Sequence, residues 1–369
     1  MPINISVIMP VYNAGRYLRQ CMDSLISQTL HNIEIICVDD GSTDDSVAIL
    51  EEYSQRDDRV KIICQSNGGA GAARNNGIRH AEGEYLSILD CDDFFEPDML
   101  EKSYGRAKET DADVVVFRCD LYDDRTGAYR SGDYTIRREL LPQKEVFSAR
   151  DVEKDIFRLF IGWSWDKLFR RNFVLENEMW FQEQRTTNDM LFVFNGLIRA
   201  KRIAVMDNVF VHYRQSEGTL SVTREKSWMC FYNALMALRE ELHKTDSYER
   251  FEQDFKNYCI HFSLWNLNTL KEPTHTLLYN KLRMEWFAEM DLTNHPAKYF
   301  YNQHEYQSFR NILNHPVEWE KEQLRFETDP NAGVVEKLIG NLKVYGIRYT
   351  LRKILNKVLF LITGKEFFP

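Results

Sequence analysis

The sequence predicts an α/β fold, a mainly parallel sheet flanked by helices and followed by a helical lobe. Short apolar runs that suit buried strands alternate with helical patterns through the first 118 residues. This alternation is typical of parallel sheets with helices on both faces. From about Glu225 the pattern changes to long helical segments rich in aromatic residues. A third observation is the acidic turn Asp90-Cys91-Asp92-Asp93, which directly follows an apolar run, where a strand would end.

Five strands are expected in this first part, each of them a short apolar run. They lie at residues 5–9, 33–38, 61–64, 84–89 and 112–117. The first run meets Pro10, which has no N–H for a ladder hydrogen bond, so the strand is expected to stop there. Two further short strands are expected at residues 203–205 and 209–213.

Spacing and capping residues predict the connections between the strands. Residues 17–26 carry apolar side chains at helical spacing. A second helix is expected to open at Ser42, which would be its N-cap, with Asp45 three residues later, close to a capping box. Residues 119–148 are polar and turn-rich, and a hairpin is expected at Thr126-Gly127.

Composition and charge restrict the class of protein. With 369 residues, 44% of them hydrophobic and 28% charged, the chain suits a globular protein with one large core or two modest ones. The seven scattered cysteines form no C-x-x-C pair. No apolar run reaches the roughly 18 residues of a spanning helix. Because a signal peptide is also missing, a cytoplasmic protein without a structural zinc site is expected. The net charge of −9 disfavours nucleic acid as a partner.

Three segments of different character are expected: a domain over 1–224, a helical lobe over 225–330 and a tail over 331–369. From Val334 to Glu366 the tail has seven basic residues against two acidic ones, a charge of +5 that leaves −14 on the remainder. Basic residues lie off its apolar face, a pattern typical of helices that bind a membrane surface. A helix docked on the acidic body is the alternative. The apolar positions are Leu351, Ile354, Leu355, Val358, Leu359 and Ile362.

The acidic turn places three carboxylates within four residues at the end of a predicted strand. Strand ends of open α/β sheets line the crevice in which ligands bind. Three like charges so close together are unfavourable unless a cation lies among them. A hard divalent ion bound through oxygen is the obvious cation, and a solvated surface turn is the alternative. Cys91 is expected to be a small filler rather than a metal ligand.

Four motifs follow one another in a meaningful order. They are Pro10-Val11-Tyr12-Asn13, then Val38-Asp39-Asp40-Gly41-Ser42-Thr43-Asp44, then Asn67 to Gly77, then Asp90 to Asp93. With this ordered set the chain closely resembles the family 2 glycosyltransferases, nucleotide-sugar enzymes with the GT-A fold, over roughly residues 1–220. Trp165-Asp166-Lys167-Leu168-Phe169 and Asn188-Asp189 support the resemblance. It implies inverting transfer of a sugar from a UDP-sugar to a carbohydrate or polyprenyl-linked acceptor in bacterial surface-polysaccharide assembly.

The resemblance implies a UDP-sugar pocket in the first half of the chain. Tyr12 would stack on the uracil, and Asp40, or its neighbour Asp39, would accept a hydrogen bond from the uracil N3–H. For Asp40 the alternative is an Asx-type turn. Arg74 would supply positive charge near the phosphates, with a plain surface ion pair as the alternative. The implied nucleotide contacts are Pro10, Tyr12, Asn13, Asp39, Asp40, Asn67, Arg74, Asp90 and Cys91.

The resemblance also assigns the metal and the general base. Asp92 would bind Mn²⁺ or Mg²⁺, which stabilises the departing diphosphate, while Asp90 would contact the ribose or the metal's outer shell. His212 would be a third metal ligand, although an isolated histidine is more often structural. Asp189 would remove the proton of the acceptor hydroxyl, with helix capping as the alternative. Asn188 departs from the acid that the family usually has before this base.

Three residues between the nucleotide half and Asp189 suit an acceptor site. Two indoles, Trp163 and Trp165, can stack on the apolar face of a sugar ring, and Lys167 can contact a phosphate or the acceptor. Core packing of one of the two indoles is the alternative. Because the tail is basic, the enzyme is expected to be a cytoplasmic protein that binds peripherally to the inner face of the cell membrane.

Rival functions fit parts of the pattern. A sugar nucleotidyltransferase would need a Gly-rich phosphate loop with basic residues near the N-terminus, where only Gly15 and Arg16 occur. A glycoside hydrolase also uses paired carboxylates but needs no nucleotide pocket. A catalytically silent nucleotide-sugar-binding module would keep the fold, although the intact Asp92 and Asp189 argue against it.

Overall fold

The computed structural model describes residues 2–215, 220–325 and 333–363. Internal contacts divide the chain into two units, Met1–Phe251 and Glu252–Pro369. The first unit combines a sheet with helices, and the described part of the second is helical. The α/β class with a following helical region is therefore as predicted, while the first unit extends beyond the residue 224 suggested by the sequence.

Within residues 2–215, ten strands form one mixed sheet. In chain order they are β1 (Ile5–Val11), β2 (Ile33–Asp39), β3 (Val60–Cys64), β4 (Tyr85–Ile88), β5 (Phe94–Phe95), β6 (Val114–Asp123), β7 (Ala128–Ser131), β8 (Val146–Phe147), β9 (Lys167–Arg170) and β10 (Ile203–Gln215). The order across the sheet is β3-β2-β1-β4-β9-β6-β10-β5, with β7 beside β6 and β8 beside β10. β1 runs parallel to β2 and β4, whereas β9 is antiparallel to both of its neighbours.

Helices alternate with the strands in the first unit and make up most of the described part of the second. They are α1 (Gly15–Ile26), α2 (Ser46–Arg56), α3 (Ala70–His80), α4 (Met99–Thr110), α5 (Ile156–Leu159), α6 (Arg171–Glu176), α7 (Met190–Arg199), α8 (Cys230–Lys244), α9 (Tyr248–Thr269), α10 (Thr274–Lys281), α11 (Phe287–Glu289), α12 (Gln303–Asn314), α13 (Val317–Leu324) and α14 (Val334–Thr363). A π-helical turn, Leu282–Trp286, separates α10 from α11. None of the helices among the described residues is long and apolar enough to cross a membrane.

The central strands form the core of the first unit. Every residue of β1, β2 and β4 is buried, which explains why these strands are near-continuous apolar runs. Helix α3 lies directly against β1. A Cβ atom at Gly77 would lie 2.5 Å from Ile8 Cγ2, so this close packing requires glycine.

β1 does not stop at Pro10, as the sequence suggested, but continues to Val11. Pro10 pairs in register with Val38 of β2. On the other side β4 ends opposite Ile8. Pro10 therefore has a strand neighbour on one side only, where a missing N–H is tolerated.

Two other strands are longer than expected. β6 runs to Asp123 and forms the predicted hairpin with β7, and the Gly127 N–H donates to the Asp123 carbonyl at 2.8 Å. The strands expected at 203–205 and 209–213 are one strand, β10, with register shifts between Val205 and Val211. The irregularity accommodates the polar residues between the two apolar runs.

Ser42 is not the N-cap of α2, which begins at Ser46. The carboxylate of Asp39 accepts hydrogen bonds from the backbone N–H groups of Gly41 and Ser42 at 3.2–3.3 Å. Gly41 has a φ of +77°, so the chain turns here before it becomes helical. The hydroxyl of Ser42 instead accepts from the backbone N–H of Asn13 at 3.0 Å.

The predicted tail helix is α14, and its first half packs within the second unit. A Cβ atom at Gly340 would lie 2.1 Å from the Gln323 carbonyl oxygen, and Val344 is buried. The Asn311 amide donates to the Lys343 and Val344 carbonyls at 3.1 and 3.2 Å. Farther along, three predicted apolar positions are exposed: Leu351, Ile354 and Leu355. The side chains of Val358, Leu359 and Ile362 lie outside the described residues.

Candidate functional site

Three predicted motifs meet at one edge of the sheet. Val11 at the end of β1 lies opposite Asp39 at the end of β2, and Ile8 lies opposite Ile88 at the end of β4. The strand order therefore changes direction at β1, with β2 on one side and β4 on the other. Ligands of open α/β sheets bind at such a switch point. The residues that follow these strand ends include Tyr12 and Asp90.

Asp40 holds the glycine-rich loop before α3. Its carboxylate is buried and accepts from the Gln65 amide at 2.8 Å and from the N–H groups of Gly68 and Gly69 at 2.8 and 2.7 Å. Gly69 has a φ of +88°, which favours glycine. An ionised carboxylate has about four acceptor positions, so Asp40 keeps capacity for a further donor. The turn-forming acid at this strand end is Asp39, as its bonds to the following turn show.

Tyr12, which directly follows β1, is 53% exposed. Asn13 follows with a φ of +49°, and its side-chain oxygen accepts from the Thr43 N–H at 2.8 Å. The Asn67 amide donates to the Asp40 carbonyl at 3.0 Å. The loops after β1, β2 and β3 are thus tied together and leave an aromatic face accessible.

The acidic turn after β4 brings three carboxylates together. Oxygen atoms of Asp90, Asp92 and Asp93 lie within 4.8 Å of one another. Burial, and secondarily Asp90, raises the pKa of Asp92 to about 6. Asp93 is fully buried, and within the described part of the chain its Oδ2 atom has no hydrogen-bond partner. An all-oxygen donor set with an unsatisfied buried oxygen fits a hard divalent cation.

Cys91 is half-buried within this turn. Burial raises the pKa of its thiol well above the ordinary value, and the neighbouring Asp92 and Asp90 raise it further. The thiol therefore stays protonated at neutral pH in the metal-free protein. Its role as a small filler between the acids stays a prediction.

Arg214, which sequence reasoning missed, donates hydrogen bonds to the acidic turn. It is 3% exposed, and its Nε donates to the Asp92 carbonyl at 2.7 Å while its backbone N–H donates to Asp93 Oδ1 at 2.8 Å. Its remaining nitrogens donate to Asp124 and Gln20. A buried guanidinium thus partly offsets the charge of the turn.

His212 does not join the carboxylate cluster, so the prediction that it is a metal ligand is wrong. Its Nδ1 lies 2.7 Å from Asp120 Oδ1 and its Nε2 lies 3.1 Å from Glu96 Oε1. Burial lowers its pKa, but these two carboxylates outweigh burial and raise the pKa above the ordinary value. Both ring nitrogens are therefore engaged with acids, Asp120 of β6 and Glu96 just after β5.

Arg74 of α3 links the acidic turn to the segment before Asp189. It is 6% exposed, and it donates to Asp90 Oδ1 at 2.5 Å and to Asn188 Oδ1 at 2.6 Å. Its guanidinium lies over the Phe181 ring, 5.2 Å from the centroid. The alternative of a surface ion pair is thereby excluded.

Asp189 directly precedes α7, yet its side chain makes no capping hydrogen bond within the described residues. Burial raises its pKa to about 6, Arg74 acts in the opposite direction, and Asp90 adds to the increase. A carboxylate with this pKa is mostly ionised at pH 7 and is a stronger base than an exposed aspartate. These properties suit proton abstraction better than helix capping.

The three predicted acceptor residues have different environments. Trp165 is buried and stacks on both Trp163 and Tyr213, with ring centroids 4.7 and 5.3 Å away, so it is the indole that belongs to the core. Trp163 is half-buried. Lys167 is fully buried, and its ammonium donates to Asp166 at 2.5 Å and to the Trp163 carbonyl at 2.8 Å. The prediction that Lys167 contacts a phosphate or the acceptor is therefore wrong, and Lys167 instead anchors the Trp163 loop.

A second group of potential ligands lies in the second unit but surrounds a lysine. Glu252, Asp291 and His295 offer ligand atoms within 4.8 Å of one another. The Lys256 ammonium lies 2.7, 2.6 and 2.9 Å from them, respectively. This ammonium occupies the position of a cation, so the group does not resemble the acidic turn of the first unit.

Gly71 brings α3 against the segment before Asp189. A Cβ atom there would lie 2.1 Å from the Gln182 carbonyl oxygen. We expect Gly71→Ala to displace this backbone and to destabilise the fold by about 1–3 kcal/mol, as overpacking typically does. Thermal melts would measure the loss of stability, and donor turnover would measure the effect of the displaced backbone.

The control for this substitution is Gly105→Ala in α4, where an added Cβ meets nothing within 4 Å. Replacing a helical glycine without a clash should stabilise the protein by about 0.5–1 kcal/mol. Equal melting temperatures and equal turnover for the two variants would contradict the close approach of α3.

The chain is similar in sequence to known glycosyltransferases. The sequence family described as Glycosyl transferase family 2 matches residues 6–174. A candidate glycosyltransferase, EpsH of Bacillus subtilis, is 32% identical over 287 residues, which are 76% of this chain and 81% of that protein. Glycosyltransferase GlyG of Streptococcus pneumoniae is 36% identical over 229 residues, which are 61% of this chain and 75% of that protein.

Solved structures with low sequence identity share the fold. S. aureus TarS 1-349 in complex with UDP-GlcNAc aligns with a TM-score of 0.53 at 19% identity, over 84% of this chain and 92% of that one. Mannosyltransferase PcManGT from Pyrobaculum calidifontis, in complex with GDP-Man and Mn²⁺, aligns with a TM-score of 0.50 at 14% identity, over 97% and 90%. The fold is the GT-A fold that the motifs implied. The family match over residues 6–174 and the 32% identity to EpsH, of which the chain covers 81%, establish the family. The chain belongs to glycosyl transferase family 2 and is a glycosyltransferase.

Proposed function

We propose that this enzyme transfers a sugar, with inversion, from a UDP-sugar to a carbohydrate or lipid-linked acceptor in the assembly of a bacterial surface glycan. The observation that carries the proposal is the Arg74 bridge. One buried guanidinium donates to Asp90 in the acidic turn and to Asn188, the residue before Asp189. A site for a nucleoside diphosphate and a base for the acceptor are therefore neighbours.

The donor nucleotide would lie at the edge formed by the loops after β1, β2 and β3. The exposed Tyr12 ring offers a stacking face for a flat base. Asp40 keeps acceptor capacity, which suits the N3–H donor of uracil but not the unprotonated N3 of cytosine. Pro10, Asn13 and Asn67 line or brace the same edge in this proposal. The similar S. aureus TarS structure was solved with UDP-GlcNAc, which supports a UDP-sugar.

Asp92, with Asp90 and Asp93 beside it, would hold Mn²⁺ or Mg²⁺. The fit rests on three carboxylates within 4.8 Å of one another and on the unsatisfied Oδ2 of Asp93 among the described residues. When bound, the ion stabilises the negative charge that develops on the leaving diphosphate. The chain's own contribution is to hold the turn in place through Arg214, which donates to the Asp92 backbone carbonyl and to Asp93 Oδ1.

Asp189 would act as the general base. The acceptor oxygen attacks the anomeric carbon on the face opposite the diphosphate, and its proton passes to the Asp189 carboxylate. The bond between the anomeric carbon and the phosphate oxygen breaks, so UDP leaves and the new glycosidic bond has the inverted configuration. Trp163 at the rim would stack on the acceptor sugar, held there by the bond from Lys167 to its carbonyl.

A panel of sugar nucleotides tests this function. UDP-glucose, UDP-galactose, UDP-GlcNAc and GDP-mannose are incubated with the enzyme and Mn²⁺, and release of the nucleoside diphosphate is measured. We expect turnover and thermal stabilisation with at least one UDP-sugar, and loss of turnover in EDTA. Stabilisation by GDP-mannose alone, or equal turnover in EDTA, would contradict the proposal.

We also propose that α14 binds an anionic membrane surface on its cytoplasmic side. Its first half packs on the second unit, whereas Leu351, Ile354 and Leu355 are 57%, 38% and 47% exposed. Residues 334–366 carry a net charge of +5. Exposed apolar side chains next to basic residues suit the interface of an anionic bilayer.

The membrane prediction is tested by the double variant Leu351→Asp/Leu355→Asp, which leaves the packed half of α14 intact. We expect the wild type to bind anionic phosphatidylglycerol vesicles and to be released by salt, because exposed charges are screened beyond about 8 Å at physiological ionic strength. The double variant should not bind, while donor turnover stays unchanged. Leu277→Asp, at a position 53% exposed in α10, is the control and should bind normally. Vesicle binding by the double variant, or none by the wild type, would refute the proposal.

A further inference from the structure

Asn75, the residue after Arg74 in α3, pairs with the backbone of a distant residue. Its side-chain amide donates to the Phe181 carbonyl at 2.9 Å, and the Phe181 N–H donates to its Oδ1 at 2.8 Å. Both bonds are buried, and Asn75 is 3% exposed. A single side chain thus satisfies both polar backbone groups of one residue, as a neighbouring strand would.

Phe181 directly precedes the loop of residues 182–188 that leads to Asp189. The Gln182 N–H donates to the Asn188 carbonyl at 3.1 Å, which closes the loop on itself. The Phe181 ring stacks on Phe192 of α7, with centroids 4.2 Å apart. The position of Phe181 therefore affects both the loop that leads to Asp189 and the helix that follows it.

Helix α3 holds this loop through two residues, Arg74 and Asn75, and only the first also contacts the acidic turn. Arg74 contacts the Asn188 side chain and also Asp90, so its geometry depends on the acidic turn. Within the described residues, the side-chain amide of Asn75 bonds to the backbone of Phe181 and not to the acidic turn. Asn75 can therefore fix the loop whether or not a donor occupies the turn.

We propose that Asn75 is a positioning residue for sugar transfer, which sets the placement of Asp189 relative to the reacting atoms by fixing the backbone of Phe181. This inference rests on the proposed role of Asp189 as the base. A misplacement of about 1 Å can cost about 100-fold in rate, because proton transfer and attack depend steeply on geometry. In the proposed arrangement the donor is held by the loops after β1, β2 and β3 and by the acidic turn, and Arg74 should keep its bond to Asp90 in the variant, so the effect should fall mainly on kcat.

The test compares Asn75→Ala with a buried asparagine of similar design elsewhere. Asn257 is 7% exposed, accepts from the Tyr301 N–H at 2.6 Å and donates to the Tyr299 carbonyl at 3.3 Å, all within the second unit. Asn257→Ala should therefore reproduce the loss of stability without the loss of positioning. Turnover is measured as UDP release from the UDP-sugar that the wild type uses fastest, and UDP affinity is measured by calorimetry with Mn²⁺.

We expect Asn75→Ala to lower kcat by about 10- to 100-fold while the donor KM and the Kd for UDP change less than about twofold. Asn257→Ala should keep a wild-type kcat. Asn75→Asp keeps the acceptor for the Phe181 N–H but turns a carboxylate oxygen toward the Phe181 carbonyl, so its kcat should fall at least as far as that of Asn75→Ala. If Asn75→Ala does not fold, Asn75→Ser, which keeps a single hydrogen-bonding group, is judged against Asn257→Ala by the same criteria.

An unchanged kcat in the Asn75 variants, or an equal loss in Asn257→Ala, would overturn the inference. So would a loss of UDP affinity that matches the loss of kcat, because that would indicate general damage to the site. A wild type that neither binds UDP nor turns over a UDP-sugar would instead refute the proposed function, so the two failures are distinguishable.

Discussion

Replacing Asp92 with asparagine should abolish sugar transfer and weaken UDP binding in Mn²⁺. A neutral amide is a poor ligand for a hard cation, and Asp92 lies in the one turn of the first unit's described residues where three carboxylates converge. Burial and Asp90 already raise its pKa to about 6, so its ionised form is unfavourable in the metal-free protein. Without ligand, Asp92→Asn should therefore melt at the wild-type temperature or above it. The increase in melting temperature that Mn²⁺ with UDP gives the wild type should be absent.

Asp58→Asn is a suitable control, because it removes the same charge at an exposed position. It should transfer sugar and respond to UDP and Mn²⁺ like the wild type. Undiminished turnover in Asp92→Asn would refute the assignment of Asp92, and so would full wild-type activity in EDTA.

Replacing Asp189 with asparagine should lower the rate of transfer by about 10²–10⁴-fold while UDP-sugar affinity is retained. The substitution keeps the size of the side chain and removes the base. Because the Asp189 side chain makes no capping hydrogen bond within the described residues, α7 should not be destabilised. Single-turnover rates and calorimetry with the same UDP-sugar separate the two quantities. A folded variant that binds the donor and transfers at a near-normal rate would exclude Asp189 as the base.

The pH dependence of kcat gives an independent check on Asp189. Its pKa is raised to about 6, mainly by burial, and only the deprotonated carboxylate can accept a proton. The rate should therefore rise with pH through about 6 and level off above it. Saturating Mn²⁺ and donor should keep Asp92 ionised, because metal ligation requires the deprotonated carboxylate, so this limb would report Asp189. A profile that is flat between pH 5 and 7 would contradict a base with this pKa.

Local sequence predicted the parts of the site that depend on strand ends. An apolar run followed by Asp90-Cys91-Asp92-Asp93 specifies both a buried strand and an acidic turn, and both are present in the structure. The end of β1 and the start of α2 were missed because each depends on a neighbouring segment. The Ser42 hydroxyl accepts from the Asn13 N–H instead of capping a helix. β4 ends opposite Ile8, so Pro10 pairs with β2 alone and the strand can continue.

Contacts over long sequence separations were beyond local reasoning. Lys167 looked like a phosphate ligand, but burial beside Asp166 cannot be inferred from the alternation of a short strand. Asn75 and Phe181 are 106 residues apart, and Arg214 and Asp93 are 121 residues apart. Such pairs depend on how strands and helices assemble, so a single sequence gives no signal for them.

The crystal structure of the enzyme with UDP and Mn²⁺ tests the central claim most directly. The account predicts Mn²⁺ in direct contact with the Asp92 carboxylate and with the diphosphate. The uracil should lie against Tyr12 with its N3–H directed at Asp40. Mn²⁺ bound away from the acidic turn, or a nucleotide bound away from the ends of β1, β2 and β4, would contradict it.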